Sequence, residues 1–185
     1  MDKKNAKPHL YFIRHASPDW SRTDIPYLIP PGPPLSPQGE KEAEALATFL
    51  DAQGVAKLYH SPFERTSKTA QIVSSLNKIP CVEEIGLSEW HAAGETEDLV
   101  GKRMLTVLGN IEKESMLIGP IGLVSHGGPV AVLLQELGMG MDELASYKKQ
   151  FDHSNPLPPA GAWEAEWNAE NHSLNLNLKF IPSVS

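Results

Sequence analysis

The sequence predicts an α/β protein: a three-layer α/β/α sandwich on a mostly parallel central sheet, finished by a C-terminal β-hairpin. Three observations carry that expectation. Short apolar runs rich in β-branched and aromatic residues alternate with longer segments of helical period. Pro, Gly and Ser punctuate the boundaries between them. Only the C-terminal segment changes to strict two-residue alternation, on both sides of a polar turn. With 185 residues, 41% of them hydrophobic and 21% charged, the chain can bury a substantial core. Residues 8–181 read as one domain, with flexible tails at 1–7 and 182–185.

Leu10-Tyr11-Phe12-Ile13 has the composition of a buried strand, and Arg14-His15 stands at its end. The stretch from Pro18 to Pro37 is too rich in proline for a helix and reads as an ordered surface loop. Ser36-Pro37 supplies an N-cap and a first helical residue. Ala43, Leu46, Ala47 and Leu50 then follow at helical spacing until Gly54. Val55 to Tyr59 reads as the second strand. Ser61 with Glu64 three residues on has capping-box spacing and opens the second helix. Ile79 to Val82 is the third strand, and Leu99, Val100, Met104, Val107, Leu108 and Ile111 mark the third helix. Ile121 to Val124 is the fourth strand, and Val130 to Leu137 a helix ending at Gly138. Trp163, Ala165 and Trp167, then Leu174, Leu176, Leu178 and Phe180, alternate with polar residues around a turn at Asn168 to Asn171. The tryptophans read as core rather than as a ligand-stacking surface.

Composition excludes several functions. A net charge of −7 lacks the basic footprint of a nucleic-acid or membrane-surface binder, so neither partner is expected. No apolar stretch has transmembrane length, and Met1 to Asn5 is not followed by the apolar core of a secretory signal. Cys81 is the single cysteine, which suits a reducing, cytoplasmic compartment, and it reads as a small core residue. His9, His60, His91, His153 and His172 have no metal-ligand spacing, so no metal or cofactor is expected.

The chemistry sits at the strand ends. Arg14 and His15 close the first strand, Arg65 lies just after the second, Glu89 follows the third, and His126 closes the fourth. In an open parallel sheet these ends share the edge where ligands bind. Two arginines, two histidines and a carboxylate at one edge suit phosphoryl transfer, in which charge spreads over equatorial oxygens. The arginines offer planar forks that match phosphate. One neutral histidine can attack phosphorus while the other donates to an oxygen, and a carboxylic acid can protonate the leaving group. Helix N-termini after Ser61 and His126 add backbone donors, and Gly127 and Gly128 allow close approach.

These segments resemble the histidine phosphatase superfamily, the phosphoglycerate mutase-like family. Its Arg-His-Gly signature is similar to Arg14-His15-Ala16, and its Leu-Thr-x-x-Gly segment to Leu35-Ser36-Pro37-Gln38-Gly39. Its Ser-Pro-x-x-Arg-x-x-x-Thr-Ala segment is similar to Ser61 through Ala70. Its acidic loop and second histidine are similar to Leu87-Ser88-Glu89-Trp90 and Ser125-His126-Gly127-Gly128. The resemblance implies that His15 is the nucleophile that forms a phosphohistidine, with Glu89 as proton donor. It also implies that Arg14, Arg65 and His126 hold the phosphoryl oxygens, in a metal-independent reaction on a small phosphorylated metabolite or a phosphoprotein.

The sequence departs from the family pattern in places. Ala16 replaces the usual glycine, and is strained if the backbone there needs positive φ. Ser21 stands where an asparagine of the phosphate pocket is often found. Glu95 and Glu97 are rivals to Glu89 for the acid. Trp20, Ser21, Arg22, Tyr27 and Gly127 are candidate substrate contacts, as is His153 from its Pro-rich loop. The interval from Glu89 to His126 is too short for a large lid, which favours hydrolysis over a cofactor-dependent phosphomutase. A non-catalytic binder of phosphorylated ligands is the alternative outside enzymology.

Overall fold

The computed structural model describes residues 7–90, 94–152, 154–168 and 173–183. Strand β1 (His9–Arg14) is buried from Leu10 onward. It pairs in parallel with β4 (Ile121–Ser125) on one side and antiparallel with β5 (Ala162–Asn168) on the other. A strand flanked on both sides and covered on both faces has no wet position, hence its unbroken apolar run. Its side chains serve two cores. Tyr11 and Ile13 pack with α1 (Pro37–Ala52) and α2 (Glu64–Asn77). Leu10 and Phe12 face α3 (Glu97–Ile118), α4 (Gly127–Glu136) and α5 (Met141–Phe151). The result is the α/β/α sandwich that the sequence predicts.

With β2 (Lys57–His60), β3 (Cys81–Glu83) and β6 (Ser173–Phe180), the sheet order is β3-β2-β4-β1-β5-β6. The first four strands are mutually parallel, and β5-β6 is the antiparallel hairpin. Arg14 lies opposite Ser125 and His60 opposite Val124. The next residues of β1, β2 and β4 therefore leave the sheet side by side, and these are His15, Ser61 and His126. The start of α1 pins the edge. Ser36 Oγ accepts from Gly39 N–H at 3.0 Å, and α1 approaches the loop after His15 so closely that a Cβ on Gly39 would lie 2.1 Å from the Ser17 carbonyl oxygen. Only glycine fits there.

Four local expectations change. Ser61 does not cap α2, which starts at Glu64 with Phe63 at the cap position and no side-chain cap bond; the Ser61 hydroxyl is engaged by His126 instead. Helix α4 begins at Gly127 rather than Val130, so the two glycines form its first turn. Helix α5 is not anticipated, because it is polar overall and Leu144 is the one residue it fully buries. Ala16 is free of backbone strain. It is fully buried in the core under α1, and among the described residues the non-glycine positions with positive φ are Lys78 and Ala160. Cys81 is half-buried against that same core. Of the proposed tails, 1–6 and 184–185 lie outside the described residues. Among the described residues no helix is long and apolar enough to cross a membrane.

Candidate active site

His15 is held at the end of β1 by its backbone. Its N–H donates to Ser125 O at 3.0 Å, and its carbonyl accepts from Ala160 N–H at 3.1 Å. The ring is almost wholly buried, with Nδ1 at 2.8 Å from the Ala16 carbonyl oxygen. A carbonyl only accepts, so Nδ1 carries the proton and Nε2 keeps its lone pair. Burial pushes the His15 pKa well below its ordinary value, and the charges of Arg65 and Arg14 add to the effect. The ring is thus a neutral imidazole whose Nε2 is unprotonated. The Tyr27 hydroxyl lies 3.4 Å from that Nε2.

Both arginines converge on it. Arg14 is 8% exposed, and its Nη1 donates to Asp152 Oδ2 at 2.9 Å and to the Leu157 carbonyl at 3.1 Å. Arg65 is fully buried at the start of α2, between the rings of Tyr27 (4.0 Å to the centroid) and Phe63 (4.7 Å). Its Nη1 donates to the Tyr27 carbonyl at 3.1 Å, and its Nη2 to Glu89 Oε2 at 3.3 Å. Among the described residues, the buried side-chain nitrogens and oxygens without a partner are Nε of Arg14 and Nε of Arg65. Buried guanidinium N–H groups are rarely left unpaired, so two beside one neutral histidine describe a cradle for an anion.

His126 sits behind this layer. Arg65 Nη2 lies 3.1 Å from its Nδ1 and can only donate, so Nδ1 accepts and Nε2–H donates to Ser61 Oγ at 2.9 Å. Burial, then the neighbouring His15 and arginines, hold its pKa well below the ordinary value. Glu89 Oε2, 3.4 Å from the same Nδ1, is therefore a polar neighbour of a neutral ring and not its ion-pair partner. Both ring nitrogens of His126 thus have partners within the protein, Nδ1 toward Arg65 and Nε2 toward Ser61.

Glu89 follows the 3-10 turn Ile85–Leu87 and reaches the pocket with 9% exposure. Its loop is tied by Arg103 of α3. That guanidinium donates to the carbonyls of Gly86 at 2.7 Å and Glu89 at 3.3 Å, and grips both carboxylate oxygens of Glu95 at 2.6 and 3.2 Å. Glu95 is thus committed to Arg103, and Glu97 is exposed in the first turn of α3, which separates both rivals from the site.

A pocket of about 530 Å³ is lined by Arg14, His15, Trp20, Tyr27, Leu28, Glu89, Trp90, Gly127, Gly128, Asp152, Ser154 and Asn155, while Arg65 and His126, fully buried, are not part of its lining. Of the candidate substrate contacts, Trp20, Tyr27 and Gly127 line this pocket. Ser21 and Arg22 do not: they are exposed, Ser21 bonded to Asp19 and Arg22 forked onto Asp24. Such short-range pairing satisfies them locally and turns them from the pocket. His153 lies outside the described residues. Asp152 and Asn155 were missed, since they arrive from a distant loop after an unanticipated helix. Asn155 Nδ2 donates to Asp152 Oδ2 at 2.8 Å, and its Oδ1 fills the space beside Gly127, 1.6 Å from where a Cβ would stand. Among the described residues, no group of three or more His, Cys, Asp or Glu could hold a metal ion.

Comparison with solved structures finds the same fold at low sequence identity. A phosphoserine phosphatase from Entamoeba histolytica, in complex with 3-phosphoglyceric acid, is 16% identical with a TM-score of 0.73, covering 95% of this chain and 97% of its own. A mycobacterial glucosyl-3-phosphoglycerate phosphatase complexed with VO3 is 17% identical with a TM-score of 0.70, covering 95% and 100%. Bacillus stearothermophilus YhfR is 19% identical with a TM-score of 0.70, covering 95% and 98%. No curated protein sequence matches the chain. The family model described as Histidine phosphatase superfamily (branch 1) matches residues 10–103, just over half the chain and all of the segments from β1 through Arg103. The chain belongs to that superfamily.

Proposed function

We propose that the protein is a phosphomonoester hydrolase that works through a phosphohistidine on His15. One observation carries the reading: a buried, neutral imidazole with its Nε2 lone pair unprotonated feels the charges of two arginines whose Nε–H groups are the unpartnered buried side-chain nitrogens of the described residues. In the first step Nε2 of His15 attacks phosphorus and the bond to the ester oxygen breaks. Glu89, as a carboxylic acid, gives its proton to that leaving oxygen. A phosphoryl oxygen on Arg65 competes with Glu89 for the same guanidinium, which releases the carboxyl group to carry a proton. In the second step Glu89 takes a proton from water, the hydroxide attacks the phosphohistidine, the P–N bond breaks and phosphate leaves.

Arg14 and Arg65 supply the positive charge that a metal supplies elsewhere, so the scheme needs no metal. The neighbouring phosphatases of the same fold, one of them complexed with VO3, support the reading. The test is rapid acid- and base-quench with a ³²P-labelled ester. Base-stable, acid-labile label on the wild type, absent from His15→Ala, is expected, with turnover unchanged by EDTA. Turnover without label on His15, or its loss on chelation, would overturn the mechanism.

A further inference from the structure

Beside the phosphoryl cradle the pocket is lined by three aromatic side chains and by the Asp152 carboxylate. Trp20 and Tyr27 stack in parallel, 4.9 Å between centroids at 16°, and the opposite face of Tyr27 covers Arg65. Trp90 faces the same space, fixed by its Nε1–H donating to the Glu95 carbonyl at 2.9 Å. The apolar surface reaches solvent: of the lining residues, Trp20 is 65% exposed and Leu28 44%. Large apolar side chains clustered at a pocket rim mark a surface that a ligand covers.

Charge points the same way. Among the described lining residues the one cation is Arg14, whose Nη1 is already held by Asp152. Burial works against the Asp152 carboxylate, but the side-chain amide of Asn155, the backbone N–H groups of Ser154 and Asn155, and Arg14 together hold its pKa below the ordinary value, so it stays anionic. Glu89 also lines the pocket and, as the proton-bearing acid of the first step, adds no positive charge. A leaving group bearing its own carboxylate or phosphate would meet the Asp152 anion and, among the described lining residues, no uncommitted cation. Like-charge contacts in a partly desolvated site are an effective means of rejecting a ligand.

We propose that the preferred substrates are phosphomonoesters of uncharged or cationic alcohols that carry a planar apolar group, stacked against Trp20 and Trp90, and that phosphorylated acids and bisphosphates are disfavoured. The inference rests on the hydrolase reading above and adds the substrate class. The test compares kcat/KM for 2-phenylethyl phosphate and 3-phosphoglycerate, both of which release an alkoxide of an aliphatic alcohol, with p-nitrophenyl phosphate as a general reporter of hydrolysis. The arylalkyl ester is expected to be favoured by about ten-fold or more. Trp20→Ala should shrink that ratio by lowering the aromatic arm, and Asp152→Asn by raising the 3-phosphoglycerate arm. Equal or better turnover of 3-phosphoglycerate, with p-nitrophenyl phosphate hydrolysed, would overturn the substrate class and leave the hydrolase reading standing. No hydrolysis of any of the three, and no label on His15, would overturn both.

Discussion

The phenol oxygen of Tyr27 lies 3.4 Å from Nε2 of His15, in the space that an attacking nucleophile must share with phosphorus. A phosphoryl group that reaches His15 displaces this hydroxyl. The ring itself remains stacked between Arg65 and Trp20. Tyr27→Phe should therefore tighten vanadate inhibition by several-fold, the worth of one weak hydrogen bond no longer to be broken. A loss of affinity instead would show that the hydroxyl binds the phosphoryl group directly.

Glu89→Gln keeps the side chain's size and removes its proton chemistry. A general acid contributes about 10²- to 10⁴-fold, so kcat on alkyl esters should fall within that range. With p-nitrophenyl phosphate, whose leaving group needs no proton, the first step should be nearly spared and phosphoenzyme should accumulate. Equal losses on both substrates would assign the acid elsewhere.

Arg103 touches no substrate, yet it holds the carbonyls of Gly86 and Glu89 and the Glu95 carboxylate together. Arg103→Ala should cost about 1.5–3 kcal/mol of stability, the value of charge-assisted bonds, measured by urea unfolding. It should also lower kcat on alkyl esters with little change in KM, because Glu89 loses its support. Arg103→Lys should recover little, since an ammonium cannot fork onto Glu95 while reaching two carbonyls. A stability loss without a selective fall in kcat would mark the clamp as structural only.

Gly127 and Gly128 are adjacent and differ in what surrounds them. A Cβ at Gly127 collides with the Asn155 side chain, whereas one at Gly128 stands 3.6 Å from Glu89 Oε1, an ordinary contact. Gly127→Ala should thus destabilise by about 1–3 kcal/mol through overpacking and depress activity as Asn155 and Asp152 are pushed from Arg14. Gly128→Ala should be close to wild type in a thermal melt. Reversal of that order would contradict the packing described.

His15 and His126 are both buried as neutral rings, with pKa values well below the ordinary 6.5. The unfolded chain binds protons at these positions more readily than the folded one, so stability rises with pH in the window between the folded and unfolded values. The contribution is complete above about 6.5 and declines as pH falls from there toward the depressed folded values. Urea unfolding between pH 7.5 and 5 should show this slope, reduced in His126→Gln. A flat profile above pH 5 would contradict neutral burial.

The legible part of the site is the part set by strand ends. His15, Arg65, Glu89 and His126 lie within a few residues of a strand, and parallel pairing alone brings such residues to one edge. What escaped the sequence depends on tertiary contact. Ser61 has cap-like spacing with Glu64, but the hydroxyl finds His126 across the sheet. Asp152 and Asn155 approach from a loop 138 residues beyond Arg14 in one case, with no local signal that they would do so. Ser21 and Arg22 failed for the opposite reason, since Asp19 and Asp24 satisfy them two residues away. Ala16 raised a question of strain because spacing says nothing of φ; the methyl is simply part of the core.

The loop between β1 and α1 is tied to itself by a single β-bridge, Pro18 to Leu35, while the phosphoryl cradle is rooted in the four parallel strands. Trp20, Tyr27 and Leu28 ride on that loop. The same loop also props the cradle: the Tyr27 carbonyl accepts from Arg65 Nη1 at 3.1 Å, its ring covers that guanidinium, and Pro31 O accepts from the first N–H of α2 at 2.7 Å. One segment thus serves both the alcohol and the phosphoryl group, but through different residues. For engineering, this makes Trp20 and Leu28 the natural positions to randomise when a new substrate is sought, with Tyr27, Pro31 and Gly32 held fixed so that Arg65 keeps its place.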